Sequence, residues 1–183
     1  MQFLKKIIKE TIPVVLGVLL ALLLNNWKES YDSDRYTEEF YAHILEEVKH
    51  NSRQIEKVIG SHKSLCDSLD YYKDKDVSGA DVVLGGGGLQ MPVLQNTSWK
   101  LLQSSQLGQL DFEVMSLLAG AERVEYYLGL DMENLMEALI EYDYSTEALG
   151  KQRIKDQVEQ LIDKEETLLS IFEMYEEWHE NYQ

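Results

Sequence analysis

Cysteine is almost missing from these 183 residues, with Cys66 the only one. A lone thiol excludes an internal disulfide and a thiolate metal cluster. Its place on an apolar helical stripe reads as a small buried side chain rather than a reactive one. Proline is nearly absent too, with two in the chain, Pro13 and Pro92. Glycine is sparse outside the run Gly85–Gly88. So few breakers predict an all-α protein. Positive charge is scarce: 17 Lys and Arg stand against 33 Asp and Glu, a net charge of −16. Such a chain repels nucleic acid, so no nucleic-acid partner is expected, and a basic partner or divalent cations would suit it better. A nucleophile set is also lacking. Ser104 and Ser105 lie between Gln103 and Gln106, without a nearby His or the small-residue elbow that exposes a catalytic serine.

Long apolar runs are limited to one, and it organises the chain. From Ile12 to Leu24 every one of thirteen residues is apolar, Gly or Pro, a length of about 20 Å as helix. A hydrocarbon core is about 30 Å thick. Phe3, Leu4, Ile7 and Ile8 extend the apolar face, while Lys5, Lys6 and Lys9 can snorkel to headgroups. Asn25, Asn26 and Trp27 mark the far interface, where an indole is at home. A cleaved secretory signal has a similar build but needs small residues at its cleavage site, and LLLNNWKESYD offers no A-x-A-like pair and no lipobox cysteine. The expectation is an uncleaved transmembrane anchor comprising Ile12, Gly17, Ala21, Leu24, Asn26 and Trp27. The lysines before the run keep the N-terminus cytoplasmic. The expected location is therefore the bacterial inner membrane, single-pass, with the C-terminal domain periplasmic. Gly17 and Ala21 form a small-xxx-small pair able to seat a second anchor helix, so a homo-oligomer is one possible assembly.

Residues 1–28 thus read as cytoplasmic tail and anchor, and 29–183 as one acidic helical domain. That domain holds 13 basic against 32 acidic residues, a net charge of −19. Tyr36, Phe40, Ile44, Val48, Asn51, Ile55, Val58, His62, Leu65, Leu69 and Tyr72 recur at spacings of three and four. They predict one long amphipathic helix continuous with the anchor. The stretch 74–92 holds the glycine run and reads as a flexible connection. Leu89, Gln90 and Met91 follow the glycines, not the Lys and Ser or Thr of a phosphate loop. Asn96, Thr97 or Ser98 can cap a helix carrying Trp99, Leu102, Leu107 and Leu110. A further helix from Phe112 is expected to pause near Gly129 and resume with Asp131 as cap. The last helix carries Ile154, Val158, Leu161, Glu165, Leu168, Phe172, Tyr175, His179 and Tyr182, a coiled-coil-like alternation of four and three. Its natural partner is the first stripe, antiparallel, in a helical bundle.

Two segments carry a resemblance. VVLGVLLALLLNNWKE and NTSWKLLQSSQLGQLD are similar to the opening and the central segment of a family of short, uncharacterised single-span bacterial membrane proteins, a domain of unknown function. The matching positions are Gly17, Asn26, Trp27, Trp99, Leu102, Ser105, Gly108 and Leu110. The resemblance implies an anchor and its topology, and no activity, cofactor or catalytic residue.

Two Glu-x-x-His units are present, Glu47 with His50 and Glu176 with His179. Di-iron carboxylate bundles use such units on two helices, and imidazole with carboxylates suits iron or manganese. An antiparallel arrangement is expected to hold the two units apart, so no cofactor is assigned. Trp99, Tyr126 and Tyr127 are candidates to line a pocket or an interaction surface. The leading expectation is a membrane-anchored, non-enzymatic interaction module, an accessory or scaffold subunit of an envelope complex with an unknown protein partner. The alternatives are a ligand-sensing four-helix module reporting through a partner, and a metal-binding, di-iron-like bundle.

Overall fold

The computed structural model describes the backbone of residues 2–104, 111–142 and 145–182, with side chains described at 15–28, 31, 35–104, 111–142 and 145–182. Its elements are helices: α1 (Gln2–Tyr71), α2 (Gly79–Gly85), α3 (Thr97–Ser104), α4 (Phe112–Glu141) and α5 (Ala148–Tyr182). There is no strand among the described residues. Helix α5 is central and packs against both α1 and α4. Helices α2 and α3 lie on α1, and α2 also reaches α5.

The α1–α5 seam runs antiparallel. Its pairs descend along α5 as they climb α1, from Tyr41 beside Trp178 through Lys63 with Glu166 to Asp70 with Lys155. Ile154, Val158, Leu161, Glu165, Leu168, Phe172, Tyr175 and His179 are all buried, as the alternation of four and three predicts. Tyr182 is not, being 49% exposed. On α1 the buried ladder from Ile44 to Leu69 also follows the stripe. The first two turns differ, because Thr37 and Tyr41 are buried while Tyr36 is half exposed. From Ile44 a backward step of three or of four residues is equally helical, and tertiary partners decide between them. Tyr41 lies edge-on to Trp178 at 4.9 Å, accepts the Asp111 N–H at its hydroxyl (2.9 Å), and takes the Tyr175 hydroxyl proton on its carbonyl (3.0 Å).

Helix α4 runs unbroken through Gly129 and Asp131, where a pause was expected. Leu128, Met132 and Leu135 are buried on both sides of the glycine. Their burial outweighs the roughly 1 kcal/mol that a helical Gly costs. Asp131 is no cap; its carboxylate approaches Lys164 Nζ at 4.0 Å. The cap of α4 is Asp111, whose Oδ1 accepts the Glu113 N–H at 2.7 Å.

Within 74–92, expected to be a flexible connection, the chain forms α2. Ser78 caps it by accepting the Asp81 N–H at 3.1 Å, and Gly79, Ala80, Val82 and Val83 are buried. A Cβ at Gly79 would overlap Ile154 Cδ1, so the missing side chain lets α2 settle on α5. Gly87 and Gly88, at φ 97° and 78°, then turn the chain in the left-handed region that favours glycine. The glycine run ends a helix rather than loosening a linker.

Where α1 ends, Lys151 of α5 is buried, and its ammonium donates to three carbonyls, of Tyr72 (2.7 Å), Lys73 (3.2 Å) and Lys75 (2.6 Å). All three of its protons are thereby satisfied at the negative end of the longest helix.

Along α1, Val15 to Lys28 are exposed on every face. Among the described residues, no helix is long and apolar enough to cross a membrane. The side chain of Ile12, the first residue of the expected anchor, lies outside the described residues.

Lys151→Met should lower stability by about 2–3 kcal/mol, because it removes three hydrogen bonds from a charged donor at the end of α1. Lys73→Met, which loses an exposed bond to Gln152, should change it by less than about 0.5 kcal/mol. Urea denaturation of the two variants measures the difference.

Candidate functional site

Between α1 and α4 the bundle leaves a trough over α5, and the segment from Leu94 to Ser104 fills part of it. Four polar side chains hold that strap. Asn51 binds the backbone of Gln95 twice, donating Nδ2 to its carbonyl (2.7 Å) and accepting its N–H (2.8 Å). Glu47 reaches from α1 to the first turn of α3, accepting the Ser98 N–H at 3.0 and 3.2 Å and the Ser98 hydroxyl at 3.1 Å. A carboxylate from another helix therefore serves as the cap of α3, where the helix N-terminus favours negative charge. From α4, Glu122 accepts Trp99 Nε1 (3.1 Å) and Gln103 Nε2 (3.0 Å), and Glu125 accepts Asn96 Nδ2 (3.3 Å).

Beneath the strap is a cavity of about 40 Å³, with Ile44, Val48, Leu118, Leu168, Phe172 and Trp99 among its walls. That volume holds one or two waters. A small-molecule site typically needs about 300 Å³ or more, so the space is a packing gap rather than a ligand pocket. The three carboxylates around it already accept hydrogen bonds from the strap, and their chemistry is that of a clamp.

The other candidate residues are dispersed. Trp99 lines the cavity and is buried, but Tyr126 and Tyr127 are 64% and 48% exposed, edge to face with each other at 5.6 Å. Of the three, Trp99 alone faces the cavity, while positions 126 and 127 fall on the outer face of α4. Glu47 is engaged by Ser98, His50 and Glu176 are half-buried, and His179 is buried with its ring centre 6.4 Å from Tyr175 and 6.3 Å from Trp178. Among the described residues, no three His, Cys, Asp or Glu side chains gather as a metal site would need. Of the two Glu-x-x-His units, Glu47 caps α3 and His179 packs among aromatic rings. Gly17, Ala21, Leu24, Asn26 and Trp27 are exposed on α1, outside the bundle.

Two ionisable features mark the core, and the first was not singled out from the sequence. His62 Nδ1 lies 3.2 Å from both carboxylate oxygens of Glu165, with the side chains 1% and 0% exposed. Nε2 of His62 has no hydrogen-bond partner among the described residues. The signal was present: both residues occupy core positions on two stripes expected to meet antiparallel, and neither could be buried without the other. The second feature is Cys66, buried as expected, whose thiol is pushed from 9.0 to about 11 by desolvation first and then by the charge of Glu159.

Removing one member of the buried pair, by His62→Leu or Glu165→Leu, should cost about 3–5 kcal/mol. The double variant should recover much of that loss, which thermal melting of the three proteins will show. For Cys66 the folded state holds the proton more tightly than the unfolded state. Its contribution is complete below pH 9.0 and is lost as pH rises toward about 11, amounting to about 2–3 kcal/mol. Wild-type protein should therefore lose more of its melting temperature than Cys66→Ala between pH 8 and pH 11, scanned side by side. Compared with protein-family models, with curated proteins and with solved structures, the chain finds no match, so its function rests on its geometry.

Proposed function

We infer that this protein is a membrane-anchored helical interaction module, a scaffold or accessory subunit of a bacterial envelope complex, without catalysis of its own. The observation that carries the reading is bare apolar surface on a helix shared with the bundle. Val15, Leu16, Val18, Leu19, Leu20, Leu22, Leu23 and Leu24 are each between 49% and 64% exposed. Covering what remains exposed of eight such side chains is worth on the order of 6–15 kcal/mol. Lipid is the cover that fits them, since they surround the helix on all sides and no single protein groove would reach every one.

Charge sets the direction. Lys5, Lys6 and Lys9 precede the run, which keeps that end cytoplasmic and puts the bundle in the periplasm. Ten residues of helix, about 15 Å, separate Trp27 from Thr37, the first buried residue among those described. The bundle's acidity favours that stand-off from anionic headgroups. An interaction role agrees with a trough whose carboxylates already grip its own strap and a cavity too small for a substrate.

Alkaline carbonate extraction of membranes holding the full chain should leave it in the pellet and detergent should release it. The double variant Leu19→Lys/Leu23→Lys should move to the soluble fraction. Release of the unaltered chain by carbonate would overturn the anchor. A phosphatase fused to the C-terminus should be active, as only an exported reporter is, and an inactive fusion would overturn the orientation.

A further inference from the structure

The end of the α1–α5 seam nearer Trp27 holds a cavity of its own. Helix α1 supplies Glu38, Tyr41 and Ala42, neighbours at i, i+3 and i+4, and α5 supplies His179 and Tyr182, three apart, so that one face of each helix lines it. Its volume is about 290 Å³, several times that of the gap under the strap, and close to the lower end of small-ligand sites, roughly 300 Å³. His179 sets this cavity apart. The residue is only 7% exposed, and its ring touches Tyr175 and Trp178 but makes no hydrogen bond among the described residues. Its nitrogens are not sealed off as Nε2 of His62 is, so the open sliver of the ring borders the cavity. A buried imidazole without a partner costs free energy that a bound molecule can return.

The other walls select the charge of that molecule. Glu38 is exposed and has no ion pair among the described residues, and Arg35, one turn earlier, is held by Glu39 at 3.4 Å. Tyr182 has Trp178 stacked on one face at 4.8 Å and is 49% exposed, while Tyr41 stands edge-on to both rings. No described Lys or Arg lines the cavity, so an anion finds no partner there. A metal ion finds one imidazole and one carboxylate, short of the three donors that a site needs. We propose that the cavity binds a small primary amine in its ammonium form, donating one N–H to the Glu38 carboxylate and one to a ring nitrogen of His179, with a short alkyl stem over Ala42. Hydrogen bonds from an ammonium to such acceptors are charge-assisted, and the Tyr182 ring attracts the same charge. A quaternary ammonium suits the rings but has no N–H for His179. Glu38 lies eleven residues, about 17 Å of helix, beyond Trp27, whereas a headgroup layer is about 5–8 Å deep, so the amine is a soluble one rather than a lipid headgroup. The proposal goes beyond the interaction-module reading, and the cavity does not need the anchor.

The probe is n-butylamine, titrated calorimetrically into the full chain in phosphatidylcholine nanodiscs. It should bind at one saturable site, n-butanol should not bind, and tetramethylammonium should bind about tenfold or more weakly. Glu38→Gln should weaken the amine by about tenfold or more, as should His179→Phe, which keeps a ring beside Tyr175 and Trp178. Ala42→Leu fills the space without removing a polar group and should block binding. Glu46→Gln, an exposed carboxylate two turns along α1, should leave it unchanged. Circular dichroism verifies that each variant is folded; Glu38 and Ala42 are exposed, so their variants decide the matter even where His179→Phe does not fold. Absence of saturable binding, equal binding of tetramethylammonium, or indifference to Glu38→Gln and Ala42→Leu would each overturn the proposal. Nanodiscs with phosphatidylethanolamine should take up the amine with the same affinity, and a weaker apparent affinity there would overturn the soluble source. Carbonate release of the chain would instead sink the anchor and leave amine binding intact.

Discussion

The register of α1 against α5 is the constraint on which the other elements depend. Apolar stripes bring two long helices together, but a stripe of Leu, Ile and Val tolerates sliding by a heptad, because every repeat offers similar surface. Polar groups buried in the seam do not tolerate it. Lys151 finds its three carbonyls only where α1 ends. His62 meets Glu165 only in this alignment, and Tyr175 reaches the Tyr41 carbonyl only at the far end. A slip of one heptad would leave a buried ammonium, imidazole and carboxylate without partners, a cost far above the loss of a few apolar contacts. These contacts act as pins at the two ends and the middle of one seam.

Everything else hangs from that seam. Helix α4 packs on the second face of α5, and the chain between α1 and α4 has to cover the trough that results. It does so in two ways. Helix α2 uses a glycine to approach α5 closely, whereas α3 makes modest apolar contact and is tied down by Glu47, Asn51, Glu122 and Glu125. The many carboxylates of this chain thus divide by position. A few are structural acceptors in the trough, one is buried against His62, and most remain as an exposed acidic surface. Cys66 belongs to the inert group, since a thiol pushed up by burial holds its proton at neutral pH.

The molecule has two unlike ends. About 66 Å of α1 separates Trp27 from Tyr71. At one end the apolar surface encircles a single helix. At the other, α2 and α4 flank α5 and leave Leu84 and Ile140 exposed.

What the sequence determined by itself is what repeats along one chain. Hydrophobic periodicity is a property of single helices, so the stripes from Ile44 to Leu69 and from Ile154 to His179 were legible, as was their antiparallel meeting. The apolar run from Ile12 to Leu24 and the acidity of the chain are likewise properties of the sequence alone. Tertiary structure decided the features that depend on a contact between segments far apart. Whether Tyr36 or Tyr41 faces inward turned on Asp111 and Trp178, and whether Gly129 breaks a helix turned on the packing of its neighbours against α5. The glycines of 79–88 had a use only once Ile154 lay beside Gly79. Glu47 could be read as half of a metal unit until Ser98 arrived 51 residues later to take it as a cap. Each of these side chains is compatible locally with two roles, and a local pattern holds no term for the distant partner whose bond selects between them.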